Sequence, residues 1–532
     1  MTARRRVAVF VLALGLAWVG VREWGALPSL EGRGVSAALT DTGGTRLGRM
    51  AAPLIAAHPG VSGVHPLRDA KDAFAARIRL AEAAERSLDV QYYIWHKDLT
   101  GTLLFQALRA AADRGVRVRV LLDDNNTAGL DEPLAALDSH PNVEIRLFNP
   151  FVIRGPRALG YLTDFFRLNR RMHNKSFTAD NQATIVGGRN IGDEYFGASD
   201  GVLFADLDVI AVGPVVSEVS GSFDRYWASA SSYPVRSLLP AARPGLLEEL
   251  TASAQQIANS SPAVAYMKAV RESAFIRDLA AGTLEIEWAP TRMVSDDPAK
   301  GLGRGATDEL VAEKLKRDLG EPATDVKLVS PYFVPGAAGT SWLADMAERG
   351  VAVHVLTNSL EATDVAYVHA GYAKWRKRLL AAGVALYELR LGNSDRGPAG
   401  TGGSGSGGGS RGSGSGSQSA GSSQSSLHAK TFSVDHARVF IGSFNFDPRS
   451  KKLNTEMGFV IESPRLAGEM DRIFLERIPE AAYEVRASRN GRLSWIERHG
   501  GETSRRDTEP GTTKWKRAWI RFLSTLPIEW LL

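Results

Sequence analysis

A motif of four polar residues occurs twice in this 532-residue sequence, with identical internal spacing. In each copy Lys lies two residues after His, Asp seven residues after it and Asn seventeen residues after it, following a glycine-containing turn. The positions are His173, Lys175, Asp180 and Asn190 in the first copy and His428, Lys430, Asp435 and Asn445 in the second. One such pattern arises easily by chance, whereas two in register predict a single active site built from a pair of motifs.

The residues that precede the two motifs are also alike. Residues 88–93 and 326–332 are each typical of a strand, and residues 112–121 and 347–356 each contain a helix end, a glycine turn and a second strand. A helix followed by glycine and a β-branched run is typical of a βαβ unit. The sequence therefore predicts an α/β protein made of two halves of about 200 residues each, related by internal duplication.

The residue types in the motif suit chemistry on a phosphate. Residues two apart on a strand face the same side, so His173 projects with Lys175 and His428 with Lys430. The lysine cations and the asparagine amides can stabilise phosphate oxygens without a metal ion. One imidazole can then attack phosphorus, while the other protonates the leaving alkoxide and later deprotonates the incoming hydroxyl.

Acidic residues in the same regions are candidates for other roles. A carboxylate on the second ring nitrogen would fix each histidine tautomer, and the candidates are Glu456 with either Asp206 or Asp208. We prefer Asp206, because Asp206 and Glu456 both lie eight residues before a proline. The motif residues Asp180 and Asp435 lie at odd spacing from their histidines, and we interpret them as organising a turn rather than as reacting groups.

Together these motifs resemble those of the phospholipase D superfamily, and within it the cardiolipin synthases of Gram-negative bacteria. The resemblance covers roughly residues 60–392 and 427–532 and includes the segments at 88–95, 121–126, 169–175, 186–193, 295–300 and 441–450. It implies a site at the interface of two α/β halves, a phosphohistidine intermediate, and neither cofactor nor metal. It further implies phosphatidyl transfer to phosphatidylglycerol, with phosphatidylethanolamine as donor and the N-terminal His173 as nucleophile.

The motifs are equally compatible with a hydrolase of the same superfamily, acting on phospholipid or nucleic acid, because the first half-reaction is shared. The net charge of only +5 argues against nucleic acid as a partner. An activating protein partner remains open. Five arginines before the first motif suit either lipid phosphates or a solvated basic face. They are Arg154, Arg157, Arg167, Arg170 and Arg171.

We place the first half at residues 60–245, a connecting helical segment at 246–282 and the second half at 283–480. Residues 393–426 are almost entirely Gly and Ser, and we expect this insertion to be disordered because it cannot bury enough apolar surface. Residues 481–532 form a Trp-rich amphipathic tail that suits either a helix in the membrane interface or a helix on the catalytic core.

Residues 1–30 begin with three arginines and an apolar run of fifteen residues, typical of an uncleaved membrane anchor or a cleaved signal. With the arginines on the cytoplasmic side, the catalytic halves are expected on the periplasmic side of a bacterial inner membrane. The chain has no cysteine, which excludes disulfides, thiol chemistry and Cys-based zinc sites.

Overall fold

The computed structural model describes residues 26–198, 205–363, 365–391 and 427–526. Most of the predicted N-terminal anchor or signal at 1–30 and the whole Gly/Ser tract at 393–426 lie outside these residues. Within the described ranges, no helix is both long enough and apolar enough to cross a membrane.

The first half is built on a mixed sheet of nine strands among the described residues. The strands are β1 (Ser62–Leu67), β2 (Ser87–Ile94), β3 (Arg117–Asn126), β4 (Val143–Phe148), β5 (Ser176–Ala179), β6 (Ala183–Gly187), β7 (Asp208–Val212), β8 (Ser232–Pro234) and β9 (Glu287–Ala289). Their spatial order is β8-β4-β3-β2-β5-β6-β7-β1-β9. Strands β2, β3 and β4 are parallel, and the remaining pairs are antiparallel.

The second half is built on a sheet for which the described chain supplies ten strands. They are β10 (Thr291–Ser295), β11 (Asp325–Val329), β12 (Ala352–Asn358), β13 (Ala385–Leu389), β14 (Thr431–Val434), β15 (Arg438–Gly442), β16 (Met457–Glu462), β17 (Ala482–Ala487), β18 (Leu493–His499) and β19 (Glu502–Arg506). Their order is β10-β16-β15-β14-β11-β12-β13-β17-β18-β19, with β11, β12 and β13 parallel.

The two sheets repeat one topology. Eight strands of the first sheet, read from β8 to β1, correspond one by one to the second sheet read from β17 to β10, with the same parallel and antiparallel pairs. Strand β9 extends the first sheet, and β18 and β19 extend the second. The predicted α/β fold of two duplicated halves is therefore confirmed.

Helices flank both sheets. The α-helices are α1 (Arg46–Ala57), α2 (Ala70–Ala83), α3 (Leu99–Asp113), α4 (Asp131–Asp138), α5 (Gly160–Leu168), α6 (Asp193–Phe196), α7 (Pro214–Ala228), α8 (Val235–Leu238), α9 (Leu246–Ala258), α10 (Ser261–Arg271), α11 (Ala274–Ala281), α12 (Val311–Leu319), α13 (Gly336–Glu348), α14 (Ala366–Ala373), α15 (Arg376–Ala381), α16 (Pro448–Lys452), α17 (Pro464–Arg472), α18 (Ile478–Ala481) and α19 (Lys514–Thr525). Short 3₁₀ turns lie at Arg157–Leu159, Pro298–Leu302 and Thr307–Glu309, and a π-helical turn at Ile473–Arg477.

The crossovers between parallel strands follow from local sequence signals. The Asp98 carboxylate accepts a hydrogen bond from the Gly101 amide and caps α3, as expected at a helix N-terminus. Helices α3 and α13 are each followed by a glycine, Gly115 and Gly350, with φ of 94° and 91°. Only glycine adopts such angles without strain, so at both positions the chain turns sharply into the next strand.

The halves meet through the faces of β6, β7, β15 and β16, which carry one continuous apolar cluster. From the first half it includes Val186, Val209 and Ala211, and from the second Ile441 and Phe459. Each half also has its own core between its sheet and its helices. Alternate residues of these strands point to the interface cluster and to the core of their own half. The strands are therefore buried on both faces, which fixes the register between the halves.

The observed sheets alter two of the domain boundaries that we drew. The residues after 283 include β9, which pairs with β1 and so belongs to the first sheet. The second half does not end at residue 480, because β17 pairs with β13 and is followed in the sheet by β18 and β19. Within the described residues, the expected tail at 481–532 therefore consists of the strands β17, β18 and β19 up to Arg506, followed by the helix α19.

Candidate active site

The two motif histidines lie at equivalent points, directly before β5 and β14. A short parallel bridge joins each of these segments to the opposite half. The His173 amide donates to the Thr455 carbonyl at 2.9 Å, and the His428 amide donates to the Ala205 carbonyl at 2.9 Å. The backbone of each half therefore positions the histidine of the other.

Each histidine side chain is also paired with a carboxylate from the other half. His173 Nδ1 lies 2.8 Å from Glu456 Oε2, and His428 Nδ1 lies 2.5 Å from Asp206 Oδ2. Asp208, the alternative considered from the sequence, instead accepts a hydrogen bond from Arg77 at 2.9 Å. Because each Nδ1 faces a carboxylate, each neutral imidazole carries its proton there and leaves the Nε2 lone pair for the substrate.

The motif lysines are buried beside the histidines. Lys175 Nζ donates to the His173 carbonyl at 2.6 Å, and Lys430 Nζ donates to the His428 carbonyl and lies 3.0 Å from His428 Nδ1. Burial lowers the pKa of Lys175 to about 7. A bound phosphate would offset that desolvation, so both ammonium groups suit an anionic ligand.

The two motif asparagines differ in their contacts. Asn190 accepts a hydrogen bond from the Ile94 amide at 3.2 Å and donates to the Tyr195 hydroxyl at 3.0 Å. Asn445 is buried, and its Oδ1 has no hydrogen-bond partner within the described ranges. The Asn445 amide therefore retains hydrogen-bonding capacity for a ligand.

The motif aspartates lie at the hairpin turns, away from the histidines. Asp180 and Asp435 have positive φ of 51° and 53°. Asp180 accepts hydrogen bonds from three consecutive backbone amides, those of residues 85–87, and Asp435 does the same for residues 323–325. These contacts fix the start of β2 and of β11, as expected of residues that organise a turn.

The two histidine–carboxylate pairs differ in charge. Burial raises the pKa of Glu456 to about 7. Burial acts in the same direction on Asp206, but His428 and Lys430 outweigh it and hold the pKa of Asp206 well below its usual range. Burial and the nearby lysines lower the pKa of His173 well below its usual value and that of His428 to about 4. Without substrate, both imidazoles are therefore neutral near pH 7.

The sequence reasoning missed the residues that support Glu456. Ser443 Oγ donates to Glu456 Oε2 at 2.5 Å, and the Glu456 amide donates to Asp296 Oδ2 at 2.8 Å. Lys300 Nζ in turn donates to Asp296 at 2.8 Å. Asp296 and Lys300 lie in the segment 295–300, which is one of the segments that resemble cardiolipin synthases. The sequence alone did not indicate a role for them.

Position 188 in the first half corresponds to Ser443 and is glycine. A Cβ atom at Gly188 would lie 2.1 Å from Asp206 Oδ1. The glycine is therefore required for Asp206 to approach His428, and the same place in the second half holds a hydroxyl donor instead.

Two tyrosines that the sequence reasoning missed also contact the motif histidines. The Tyr93 ring meets the His173 ring edge-on at 4.9 Å between centroids, and Tyr195 meets His428 in the same way at 5.2 Å. These contacts restrict imidazole rotation and exclude water from one side of each ring.

The five arginines before the first motif are neither a free lipid-binding cluster nor a solvated face. Arg171 is buried against Asp123, and Arg154 and Arg157 both bind Asp131. Arg167 pairs with Asp164, and Arg170 donates to the Phe166 carbonyl at 2.5 Å. They stabilise the loops around α5.

Two groups of side chains in the described chain have the spacing of metal ligands. One comprises His96, Asp98 and Glu194, and the other Asp325, His436 and Asp471. In the first, Asp98 already caps α3, and in the second Lys327 binds both aspartates. Each group is therefore accounted for by contacts within the protein.

Two duplicated α/β halves with paired His-Lys motifs at their interface define a phospholipase D-type enzyme. The family model described as "Cardiolipin synthase, PLD-like domain" matches residues 77–227 and 315–478. The chain is 51% identical to cardiolipin synthase C of Escherichia coli K12 over 92% of this chain and 100% of that protein. It is 25% identical to cardiolipin synthase A of Pseudomonas entomophila over 82% of this chain and 71% of that protein.

The phosphatidylserine synthase structure from Haemophilus influenzae shares the fold, with a TM-score of 0.55, 13% identity, and coverage of 91% of this chain and 100% of that one. By the family model and by identity to its relatives, this chain belongs to the phospholipase D-like cardiolipin synthases.

Proposed function

We propose that this protein is a cardiolipin synthase that transfers a phosphatidyl group from phosphatidylethanolamine to phosphatidylglycerol through a phosphohistidine. The observation that carries this proposal is the crosswise pairing of His173 with Glu456 and of His428 with Asp206. It leaves two Nε2 atoms, one from each half, for one phosphodiester. The matched lysines supply the charge stabilisation.

We assign the nucleophile to His173. Glu456, with a pKa of about 7, carries less negative charge at neutral pH than Asp206, so it favours a neutral imidazole. The ionised Asp206 favours the imidazolium form of His428, which serves as the acid. Binding of the phosphodiester anion offsets the lysine charges that lower the pKa of His428 in the free enzyme.

In the first step, His173 Nε2 attacks phosphorus, the bond to the head-group oxygen breaks, and His428 gives its proton to the departing alkoxide. In the second step, the hydroxyl of phosphatidylglycerol loses its proton to His428 and attacks phosphorus. The bond between phosphorus and His173 breaks, and both histidines return to their starting state.

The proposal includes attachment to a membrane through α19. Ile520 packs on Leu360 and Ala370, whereas Trp515 and Trp519 on the other face are 85% and 55% exposed. The helix thus uses one face for the core and offers an aromatic face to the bilayer interface. A basic cleft of about 1000 Å³ beside it suits anionic head groups, and its cations include Lys374, Lys377, Arg489, Arg492, Arg505 and Arg521.

Location at the inner membrane, with the catalytic halves on the periplasmic side, is part of the same proposal and is supported by the charge pattern of residues 1–30.

Replacing Trp515 and Trp519 together by alanine should reduce co-sedimentation with phosphatidylglycerol vesicles at least fivefold. The matched change, Trp288→Ala, alters a tryptophan that stacks on His58 and should leave binding unchanged.

The test of function is the full chain in vesicles of phosphatidylethanolamine and phosphatidylglycerol, with lipids separated by chromatography. Cardiolipin and free ethanolamine should form in equal amounts, and excess EDTA should not stop the reaction. The same chain should restore cardiolipin in bacteria that lack their own synthases, where any required protein partner is supplied. Phosphatidic acid as the only product in both settings would show a hydrolase instead.

A further inference from the structure

The second half contains an apolar groove of about 600 Å³ between its sheet and the helices α12, α13 and α16. Its floor is formed by Val326 and Leu328 of β11 and by Phe432 and Val434 of β14. Trp342 of α13 lies at its edge and is 38% exposed. An open groove of this size lined by aliphatic and aromatic side chains is typical of a site for an apolar ligand.

In the first half, the face of the sheet that corresponds to the groove is covered by other elements. Its equivalent strands carry Val90 and Phe177, which are completely buried, whereas the floor residue Phe432 is also buried but keeps 7% of its surface exposed. Helices α10 and α11 lie over the neighbouring α2, where the Tyr266 ring is 5.6 Å from Phe74 and the Phe275 amide donates to Asp72 at 3.0 Å. In the second half, the corresponding part of the chain forms β18, β19 and α19, and α19 packs on α14 instead. The described residues therefore leave the groove without the cover that its duplicate has.

The groove floor and the catalytic residues of the second half lie on one segment of the chain. His428, Lys430, Phe432 and Val434 alternate along one segment, so the catalytic side chains and the groove floor share a face. Phe444, which also lines the groove, directly precedes Asn445. At about 3.4 Å per residue, the floor extends roughly 13 Å beyond Lys430.

The rim of the groove is positively charged. Lys316, Lys451 and Lys452 border it. Glu313 pairs with the first two, at 3.0 Å and 3.4 Å, so three cations face one carboxylate. Asp447 is turned inward, where it accepts a hydrogen bond from the Ser450 amide and caps α16. An apolar floor with a cationic rim complements an acyl chain that enters from an anionic lipid surface.

We propose that this groove holds an acyl chain of the phospholipid whose phosphate lies on Lys175 and Lys430. This inference rests on the proposed function and deepens it, because it places the binding of the substrate tail in the second half alone. The duplication supplies two equivalent catalytic motifs, but among the described residues the helices α10 and α11 occupy the region of the first half that corresponds to the groove, so the two halves have different roles in substrate binding.

The first test is photolabelling of the full-length protein in vesicles. The probe is a phosphonate analogue of phosphatidylethanolamine that carries a diazirine at the end of one acyl chain. Label should appear in peptides that contain residues 311–319, 336–348 or 432–434. Label that is confined to α19 or to the first half would overturn the proposal. Because the analogue does not react, this result does not depend on whether the enzyme makes cardiolipin.

The second test fills the groove. Ala312 lines it, and Ala312→Phe should reduce transfer from sixteen-carbon phosphatidylethanolamine at least tenfold, while transfer from a six-carbon analogue changes less than twofold. Ala252→Phe places the same side chain on the exposed face of α9 and should affect neither substrate. Equal rates of the folded Ala312→Phe protein and the wild type on long chains would overturn the proposal. If Ala312→Phe fails to fold, the photolabel decides alone. Absence of cardiolipin from the wild type, with label in the groove, would reject the proposed function and keep the site.

Discussion

The two motif histidines receive the same kind of support from opposite halves, but the supporting carboxylates are not equivalent. Glu456 is held by Ser443 and has a pKa of about 7, whereas Asp206 has a pKa well below its usual range and lies where Gly188 leaves room for it. The two halves therefore share the His-Lys pairs but differ in the residues that surround them. In our account, this difference gives a symmetric pair of motifs one nucleophile and one acid.

The largest effect should come from removing either histidine. His173→Ala and His428→Ala should each reduce cardiolipin formation by a factor on the order of ten thousand or more, because nucleophile and acid act in one cycle. Initial rates in mixed vesicles would measure this. His499→Ala, on an exposed side chain at the end of β18, is the matched control and should retain full activity. A tenfold loss or less in one variant would mean that its histidine does not react.

A smaller and unequal effect should follow from neutralising the carboxylates. Asp206→Asn removes the charge that stabilises the His428 imidazolium, and the rate should fall on the order of a hundred- to a thousandfold. Glu456→Gln keeps a group of the same shape whose charge is already reduced, and the loss should be about tenfold. Steady-state rates of the two variants at pH 7 provide the comparison. Equal losses, or the reverse order, would contradict the assigned roles.

The turn aspartates should affect stability rather than chemistry. Asp180 is fully buried and binds three backbone amides, so Asp180→Ala should cost roughly 3–5 kcal/mol of unfolding free energy. Asp435 makes equivalent contacts at a half-exposed site, and its replacement should cost about 1–2 kcal/mol. Denaturant titration of both variants measures the difference. A larger loss for Asp435→Ala would show that burial does not set the order.

The pH dependence of stability should also distinguish the two histidine–carboxylate pairs. The folded pKa of Glu456, about 7, lies above its ordinary value of 4.5, so the native state keeps a proton that the unfolded chain releases. Its contribution is fully present below pH 4.5 and is lost as pH rises towards 7, by at most about 3 kcal/mol. Glu456→Gln should remove this slope in melting temperatures between pH 5 and 8. An unchanged slope would show that Glu456 is ionised throughout.

Much of this arrangement follows from the sequence, because it depends on local spacing. The strand period places His173 with Lys175 and His428 with Lys430, and the glycines after α3 and α13 mark the crossovers. The repeated spacing indicates the duplication, and the proline offset favours Asp206 over Asp208.

The remainder depends on contacts between residues far apart in the chain. Glu456 lies 283 positions from His173, and no local pattern shows that each carboxylate serves the histidine of the other half. The sheet also continues past residue 480, because β17 pairs with a strand that lies before the Gly/Ser tract. The uncovered groove appears only when the helices of the two halves are compared in space.

The most direct measurement is the site of covalent labelling with an activated donor. A phosphatidyl ester of nitrophenol needs no proton for its leaving group, so the acid becomes dispensable while the nucleophile does not. On our account, the His428→Ala protein should accumulate an acid-labile, base-stable phosphoryl adduct at His173, and the His173→Ala protein should remain unlabelled. Label at His428 in the His173→Ala protein, with none in the His428→Ala protein, would reverse the assignment. The absence of any phosphohistidine in both proteins would contradict the covalent mechanism itself.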